Sequence, residues 1–265
     1  MQQYALLGNP VHHSKSPLIH HLFAQQTGIA LNYSALLVNA GDLTTAIHNF
    51  TGQGLNITMP FKADAYHLVH EASARARLAG VVNTIKFHAD GSRYGDTTDG
   101  VGFVRDCLQN LKIPLKDRHI LVLGAGGAAR GIMEALLTEA PGRLAILNRT
   151  WEKAKKLAHD FAGLGPITVV TPLDPGSYDL IINATGGQTT DTPLNLPANF
   201  LHPNGLCYEL SYGESPTPFS LWASRLKAYY TNGLGMLVEQ AAESFYIWHG
   251  LRPQTKTVLS LLKMS

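Results

Sequence analysis

At 265 residues the chain is long for one domain and of ordinary size for two. Its 45% apolar content and formal charge of +2 (21 Lys and Arg against 19 Asp and Glu) indicate a full core without a basic field, which argues against nucleic-acid or membrane-surface partners. The densest apolar stretches, residues 120–123 and 180–182, fall far short of the roughly 20 residues that cross a bilayer.

Residues 1–4 lack the basic and apolar regions of a signal peptide, so the expected location is the cytoplasm. Cys107 and Cys207 each sit among apolar neighbours and read as reduced core thiols. Two of the histidine clusters, His12-His13 and His20-His21, are adjacent pairs that do not turn both rings to one ion from a helix face. No metal site is expected.

Short β-type runs alternate with helical stretches from end to end, the pattern of a mostly parallel sheet under helices. Residues 4–7 read as a strand and 17–27 as a helix, with Ser16 as N-cap and Pro17 at the first position. A strand follows at 33–38, a helix at 43–50 opened by Asp42, and a strand at 55–59. Residues 63–78 read as one helical stretch, and 82–88 with 93–96 as a hairpin around Ala89-Asp90-Gly91. After a helix at 102–111, residues 112–117 form the best linker in the chain.

The rhythm then restarts. Strands are expected at 119–123, 144–147, 167–170, 178–183, 205–209 and 228–231. Helices are expected at 127–138 and at 151–161, the latter capped by Thr150. The final helices, 234–249 and 253–263, follow the last strand and are expected to return to the first domain. The predicted organisation is therefore an α/β chain: residues 1–101 as a substrate domain, 102–233 as a Rossmann-like dinucleotide-binding domain, and 234–265 packing back on the first.

The strand at 119–123 runs into Gly124-Ala125-Gly126-Gly127-Ala128-Ala129-Arg130 at the start of a helix. This satisfies G-x-G-x-x-(G/A) in the strand–turn–helix context that gives the motif meaning. Gly124 permits a tight turn, Gly126 a close backbone approach to a pyrophosphate, and the helix start favours an anion. The alternative is an ordinary structural turn. At the end of the next strand stands Asn148-Arg149-Thr150, with Lys153 following. An acid there would hold the 2′-hydroxyl of NAD, whereas Arg149 offers a planar cation to a 2′-phosphate, so NADP(H) is the expected cofactor. A plain surface-loop role for Arg149 remains the alternative.

Four further runs carry polar side chains at element ends. Gly8-Asn9-Pro10-Val11-His12-His13-Ser14-Lys15-Ser16-Pro17 sets two hydroxyls at a helix entry, although Ser16 also suits a simple cap. Asn56-Ile57-Thr58-Met59-Pro60-Phe61-Lys62 is a strand that stops at a proline and delivers a lysine. Val82-Asn83-Thr84 is followed by Asp96-Thr97-Thr98-Asp99-Gly100, where Asp99 is either functional or a helix cap. Gly233-Leu234-Gly235-Met236-Leu237-Val238-Glu239-Gln240 opens the penultimate helix.

In this order and spacing, and together with the nucleotide motifs, these runs resemble the shikimate dehydrogenase family over essentially the whole chain. The resemblance implies NADPH-dependent, reversible reduction of 3-dehydroshikimate to shikimate, a step of chorismate and aromatic amino acid biosynthesis. It implies that Ser14 and Ser16 hold the substrate carboxylate. Thr58, Asn83, Asp99 and Gln240 would bind ring hydroxyls, Tyr212 would add a further hydroxyl, and Lys62 with Asp99 would form the catalytic pair. It further implies that Gly124, Ala125, Gly126, Gly127 and Ala128 cradle the pyrophosphate. Asn148, Arg149, Thr150 and Lys153 would hold the adenosine phosphate, and Leu210 and Gly233 would line the nicotinamide pocket.

The chain departs from the family pattern at Thr97, where asparagine is common, at Lys153, a frequent arginine, at Leu210, often methionine, and after Asn183-Ala184-Thr185, where Gly186-Gly187-Gln188 replaces the usual serines. A ketone reduction needs a proton and charge stabilisation for the nascent alkoxide, and a lysine beside an aspartate can supply both. The alternatives are a quinate/shikimate dehydrogenase with broader substrate or NAD use, and a non-catalytic NADP-binding sensor. The expected partner is a small molecule, and the expected state a monomer or homodimer.

Overall fold

The computed structural model describes residues 1–174, 176–186, 196–213 and 215–264. Gly187 and Gln188 lie outside the described residues. The chain divides into two units, the first made of residues 1–105 and 237–265 and the second of residues 106–236.

The first unit holds a six-stranded sheet in the order β2-β1-β3-β5-β6-β4. Its members are β1 (Gln2–Gly8), β2 (Leu31–Leu37), β3 (Gly54–Ile57), β4 (Glu71–Ala72), β5 (Thr84–Phe87) and β6 (Arg93–Asp96). β1 pairs parallel with both β2 and β3, whereas β5 runs antiparallel to β3 and β6. Side chains that alternate along these strands build the core: Ala5 and Leu7 from β1, Leu55 and Ile57 from β3, and Ile85 from β5 are buried together. Helices α1 (Ser16–Thr27), α2 (Leu43–His48), α3 (Lys62–Tyr66), α4 (Ala74–Ala79) and α5 (Asp99–Arg105) lie between or after these strands.

Two helical expectations are corrected. The stretch 63–78 is not one helix but α3 and α4, with the two-residue strand β4 between them. Two things divide it: the Ser73 hydroxyl accepts from Ala76 N and caps a fresh helix, while His70 N and Ser73 N donate to Arg93 O and Gly95 O of β6. The helix expected at 102–111 begins at Asp99 and passes after Arg105 into a π-helical turn, Asp106–Asn110.

The second unit is an all-parallel six-stranded sheet, β12-β11-β10-β7-β8-β9. Its strands are β7 (His119–Leu123), β8 (Arg143–Leu147), β9 (Ile167–Val169), β10 (Tyr178–Asn183), β11 (Leu201–Glu209) and β12 (Tyr229–Thr231). Read from β9, chain order reverses beside β7, the doubly wound arrangement that places ligands at the carboxyl ends of the strands. Near-continuous apolar runs such as Ile120 to Leu123 are buried, as a sheet covered on both faces requires. Helices α6 (Gly127–Thr138), α7 (Trp151–Asp160) and α8 (Pro218–Arg225) connect these strands. β11 starts four residues earlier than expected.

The last helices are α9 (Leu234–His249) and α10 (Thr255–Met264), and from Leu237 onward they belong to the first unit. Trp248 anchors α9 there: its indole N–H donates to Ile85 O at 3.0 Å and its ring lies 4.6 Å from that of Tyr4. Among the described residues, no helix is long and apolar enough to cross a membrane.

Candidate active site

In the first unit, four of the expected substrate residues converge. β3 ends at Ile57, and the chain turns through Pro60 into α3, whose first residue is Lys62. β6 ends at Asp96, and three residues later Asp99 opens α5. The Lys62 ammonium donates to Asp99 Oδ2 at 2.6 Å, with side-chain exposures of 19% and 5%. The attraction within a pair so shielded is screened less by water than that of a surface ion pair.

Asp99 does not cap its helix by side chain as the alternative reading had it: Oδ2 takes Lys62, and Oδ1 accepts from Asn83 Nδ2 at 2.9 Å. Asn83 is the hub of the cluster. Its Nδ2 also approaches Thr98 Oγ1 at 2.9 Å and Gln240 Oε1 at 3.3 Å, and its Oδ1 accepts from Thr98 N at 2.9 Å and Thr84 Oγ1 at 2.9 Å. Gln240, on α9, accepts from Thr98 Oγ1 at 3.2 Å and donates to Leu237 O at 3.0 Å.

Behind this layer stands another that the sequence reading did not assign. Ser244, one turn after Gln240, lies 2.7 Å from Thr84 Oγ1 and accepts from Asn56 Nδ2 at 3.0 Å. The Tyr33 hydroxyl donates to Asn56 Oδ1 at 2.7 Å. A serine four positions after Gln240 shares its helix face, and that spacing is the one signal that could have pointed to Ser244.

Thr58 and Ser14 occupy neighbouring loops, and Ser16 follows at the start of α1. Asn9 N, just past β1, donates to Met59 O at 3.0 Å, so the loops following β1 and β3 run side by side. Ser16 is the first residue of α1 rather than its N-cap. Lys15 holds the cap position without a side-chain bond, and Ser14 Oγ accepts from Ser16 N at 3.2 Å. Ser14 is half-buried and Ser16 buried.

In the second unit, the expected cofactor residues stand at the carboxyl ends of β7, β8, β11 and β12. Gly124, at φ +105°, makes the turn that other residues resist, and its N–H donates to Leu147 O. Gly126 precedes α6, and a Cβ placed there would meet nothing within 4 Å. The turn is thus uncrowded at Gly126, and the N–H groups that open a helix suit an incoming pyrophosphate.

Asn148 donates to Thr150 O at 2.8 Å and shapes the loop that leaves Arg149, Thr150 and Lys153 exposed. Thr150 precedes α7 without a side-chain capping bond. Leu210 N donates to Asn183 O, and Gly233 packs on the same turn so closely that a Cβ would run into Leu210 O. Tyr212, half-buried, follows β11 in this unit, apart in sequence from the seven substrate residues of the first. Among the described residues, no group of three or more His, Cys, Asp or Glu side chains could hold a metal.

The family described as shikimate dehydrogenase substrate binding domain matches residues 6–85, shikimate / quinate 5-dehydrogenase matches 107–191, and the shikimate 5'-dehydrogenase C-terminal domain matches 233–263. The chain is 44% identical over 269 residues to a shikimate dehydrogenase (NADP(+)) of Thioalkalivibrio sulfidiphilus, covering 99% of this chain and 98% of that protein. Its fold is similar to an Ael1 enzyme from Pseudomonas putida, with TM-score 0.90, 40% identity, and coverage of 99% and 98%. A shikimate 5-dehydrogenase of Thermus thermophilus, in complex with NADP(H) and shikimate, matches with TM-score 0.86, 31% identity, and 98% coverage of both chains.

Proposed function

The chain belongs to the shikimate dehydrogenase family, and on that premise we propose that it interconverts 3-dehydroshikimate and shikimate with Lys62 and Asp99 moving the proton. The observation that carries this reading is the 2.6 Å contact between Lys62 Nζ and Asp99 Oδ2, set beside Asn83 and Gln240 in one polar cluster. NADP(H), when bound, exchanges the hydride.

The residues do the rest. Ser14 and Ser16 present a hydroxyl and a helix start to the substrate carboxylate, and Thr58 and Gln240 bind ring hydroxyls, with Tyr212 adding another. In the reductive direction the Lys62 ammonium gives its proton to the ring oxygen as negative charge develops there. Asp99 accepts from that ammonium and orients it, and in the reverse direction neutral Lys62 takes the hydroxyl proton back. Asn83 holds Asp99 and Gln240 in register.

For the nucleotide, the start of α6 receives the pyrophosphate, and Arg149 with Asn148, Thr150 and Lys153 receives the 2′-phosphate. Leu210 and Gly233 form the nicotinamide wall. The same reading takes the enzyme as a cytoplasmic monomer or homodimer. Steady-state assays with shikimate and quinate, each against NADP and NAD, test it directly. Turnover with shikimate and NADP well above the other three pairs is expected, and equal use of quinate or of NAD would overturn the assigned specificity.

A further inference from the structure

The Lys62–Asp99 pair has a charged neighbour in the first unit. Asp96, three positions before Asp99, is buried, and its carboxylate is gripped by one guanidinium: Arg75 Nε donates to Oδ1 at 2.7 Å and Arg75 Nη2 to Oδ2 at 2.8 Å. The Ser73 hydroxyl and Thr97 N also donate to Oδ1, at 2.5 and 2.7 Å. The same Arg75 Nη2 reaches Glu243 Oε1 at 3.2 Å, on α9 and three residues after Gln240. Glu243 Oε2 in turn accepts from Arg105 at 2.8 Å and Arg252 at 2.6 Å.

We propose that Arg75 is a positioning residue for the substrate site, fixing with a single side chain both the segment that delivers Asp99 and the helix that delivers Gln240. The inference rests on the shikimate dehydrogenase reading above. Asp96 and Asp99 bracket a four-residue segment, so an anchor at one end limits the freedom of the other. Glu243 and Gln240 lie one turn apart on one helix, so a tie at Glu243 sets the helix's rotation at Gln240.

The planar fork of arginine can engage a carboxylate at two points while its outer nitrogen reaches a second one. An ammonium offers no such fixed geometry. Burial alone would raise the Glu243 carboxyl, but hydrogen bonds from Arg252 and Arg105, with their charges, bring it down to about 2. Glu243 therefore stays ionised throughout the working range and acts as a fixed brace. The network's surplus of arginines over carboxylates keeps Glu243 fully paired.

The test is Arg75→Gln, Arg75→Lys and Glu243→Gln beside the wild type, with shikimate and NADP(H) binding titrations, kcat and thermal melting measured on each. Wild-type turnover tests the underlying reading, and the ratios to wild type test Arg75. A small misplacement of catalytic groups costs up to about 10²-fold, so Arg75→Gln should lower kcat/KM by roughly 10- to 100-fold. Shikimate affinity should weaken while NADP(H) affinity stays within about twofold, and Arg75→Lys should recover only part of the loss.

If folded Arg75→Gln binds shikimate and turns over as the wild type does, Arg75 merely supports the fold and the proposal fails. Should Arg75→Gln not fold, Glu243→Gln decides by the same readouts. Weakened shikimate affinity with intact nucleotide affinity supports the proposal, and unchanged shikimate affinity overturns it.

Discussion

The ammonium of Lys62 and the carboxylate of Asp99 meet at 2.6 Å although 37 residues separate them in the chain. Each arrives at the end of a different strand, so the pair exists only in the folded sheet. Positioned acid–base groups contribute on the order of 10²–10⁴-fold, and Lys62→Ala is expected to lower kcat by about that factor while shikimate affinity falls less. Asp99→Asn should depress kcat and shift its pH profile, and the double variant should cost less than the product of the single losses. Steady-state kinetics with a shikimate titration check this; near-wild-type turnover of Lys62→Ala would assign the proton to another group.

Arg149 stands exposed after β8 where no acid competes for the ribose. Arg149→Ala is expected to weaken NADP(H) binding while leaving NAD(H) nearly unchanged, as measured by fluorescence titration with both cofactors. Equal losses for both would refute the phosphate role.

Ser14 Oγ already accepts from Ser16 N, which ties the loop after β1 to the start of α1. A hydrogen bond to a charged group is worth roughly 1.5–3 kcal/mol, so Ser14→Ala should raise the shikimate KM by about 10- to 100-fold. Ser16→Ala should do the same without the destabilisation of a lost N-cap, because Ser16 lies inside α1. The readout is KM alongside a melting curve. Wild-type KM in a folded Ser14→Ala removes the serine from the carboxylate site.

Gly233 leaves no room for a side chain beside Leu210 O. Gly233→Ala must push two backbone segments apart, which costs about 1–3 kcal/mol in packed regions. A raised KM for NADPH with a lowered melting temperature is expected, since both segments belong to the assigned nicotinamide wall. A change in neither would separate Gly233 from that pocket.

Acid should destabilise the first unit from near neutrality. Burial, and secondarily the neighbouring His249, lowers His20 to about 3, and burial with the Lys86 charge lowers His249 to about 4. Both are neutral when folded, whereas the unfolded chain binds protons at about 6.5. Their stability is complete above that pH and is lost as pH falls through the window toward 4 and then 3, at up to about 1.4 kcal/mol per pH unit for each group. Glu243 adds its own loss between about 4.5 and 2. His20→Phe preserves the ring that stacks on Tyr33 at 4.2 Å and should flatten the pH dependence of melting below 6.5. An unchanged slope would clear His20 of the effect.

Much of this was legible in the sequence because strand ends carry their own punctuation. Gly124 after β7, Pro60 after β3 and Asn148-Arg149-Thr150 after β8 mark turns and display chemistry in the same residues. What stayed hidden depends on partners distant in sequence. Residues 63–78 have helical composition, and only the edge of β6 draws Glu71 and Ala72 into a strand. Asn83 read as one ligand among several, yet its amide is occupied on both sides by Thr98, Thr84, Asp99 and Gln240, which no local pattern announces. Arg75 sits in an ordinary short helix, and its meaning comes from Asp96 and Glu243.

The first unit is assembled from two separate stretches of chain, while the second is one unbroken stretch, residues 106–236. Translation proceeds from the N-terminus, and domains fold as units when their sequence is available. The nucleotide half therefore has every residue it needs before Gln240, Ser244 and Trp248 have been made, whereas the substrate half, although begun first, is completed last. A nascent chain paused before Leu237 already carries every assigned cofactor residue from Gly124 to Gly233, but it lacks the helix that closes the hydrogen bonds around Asn83. Birth order thus runs opposite to position along the chain: the part begun second is the first to be whole.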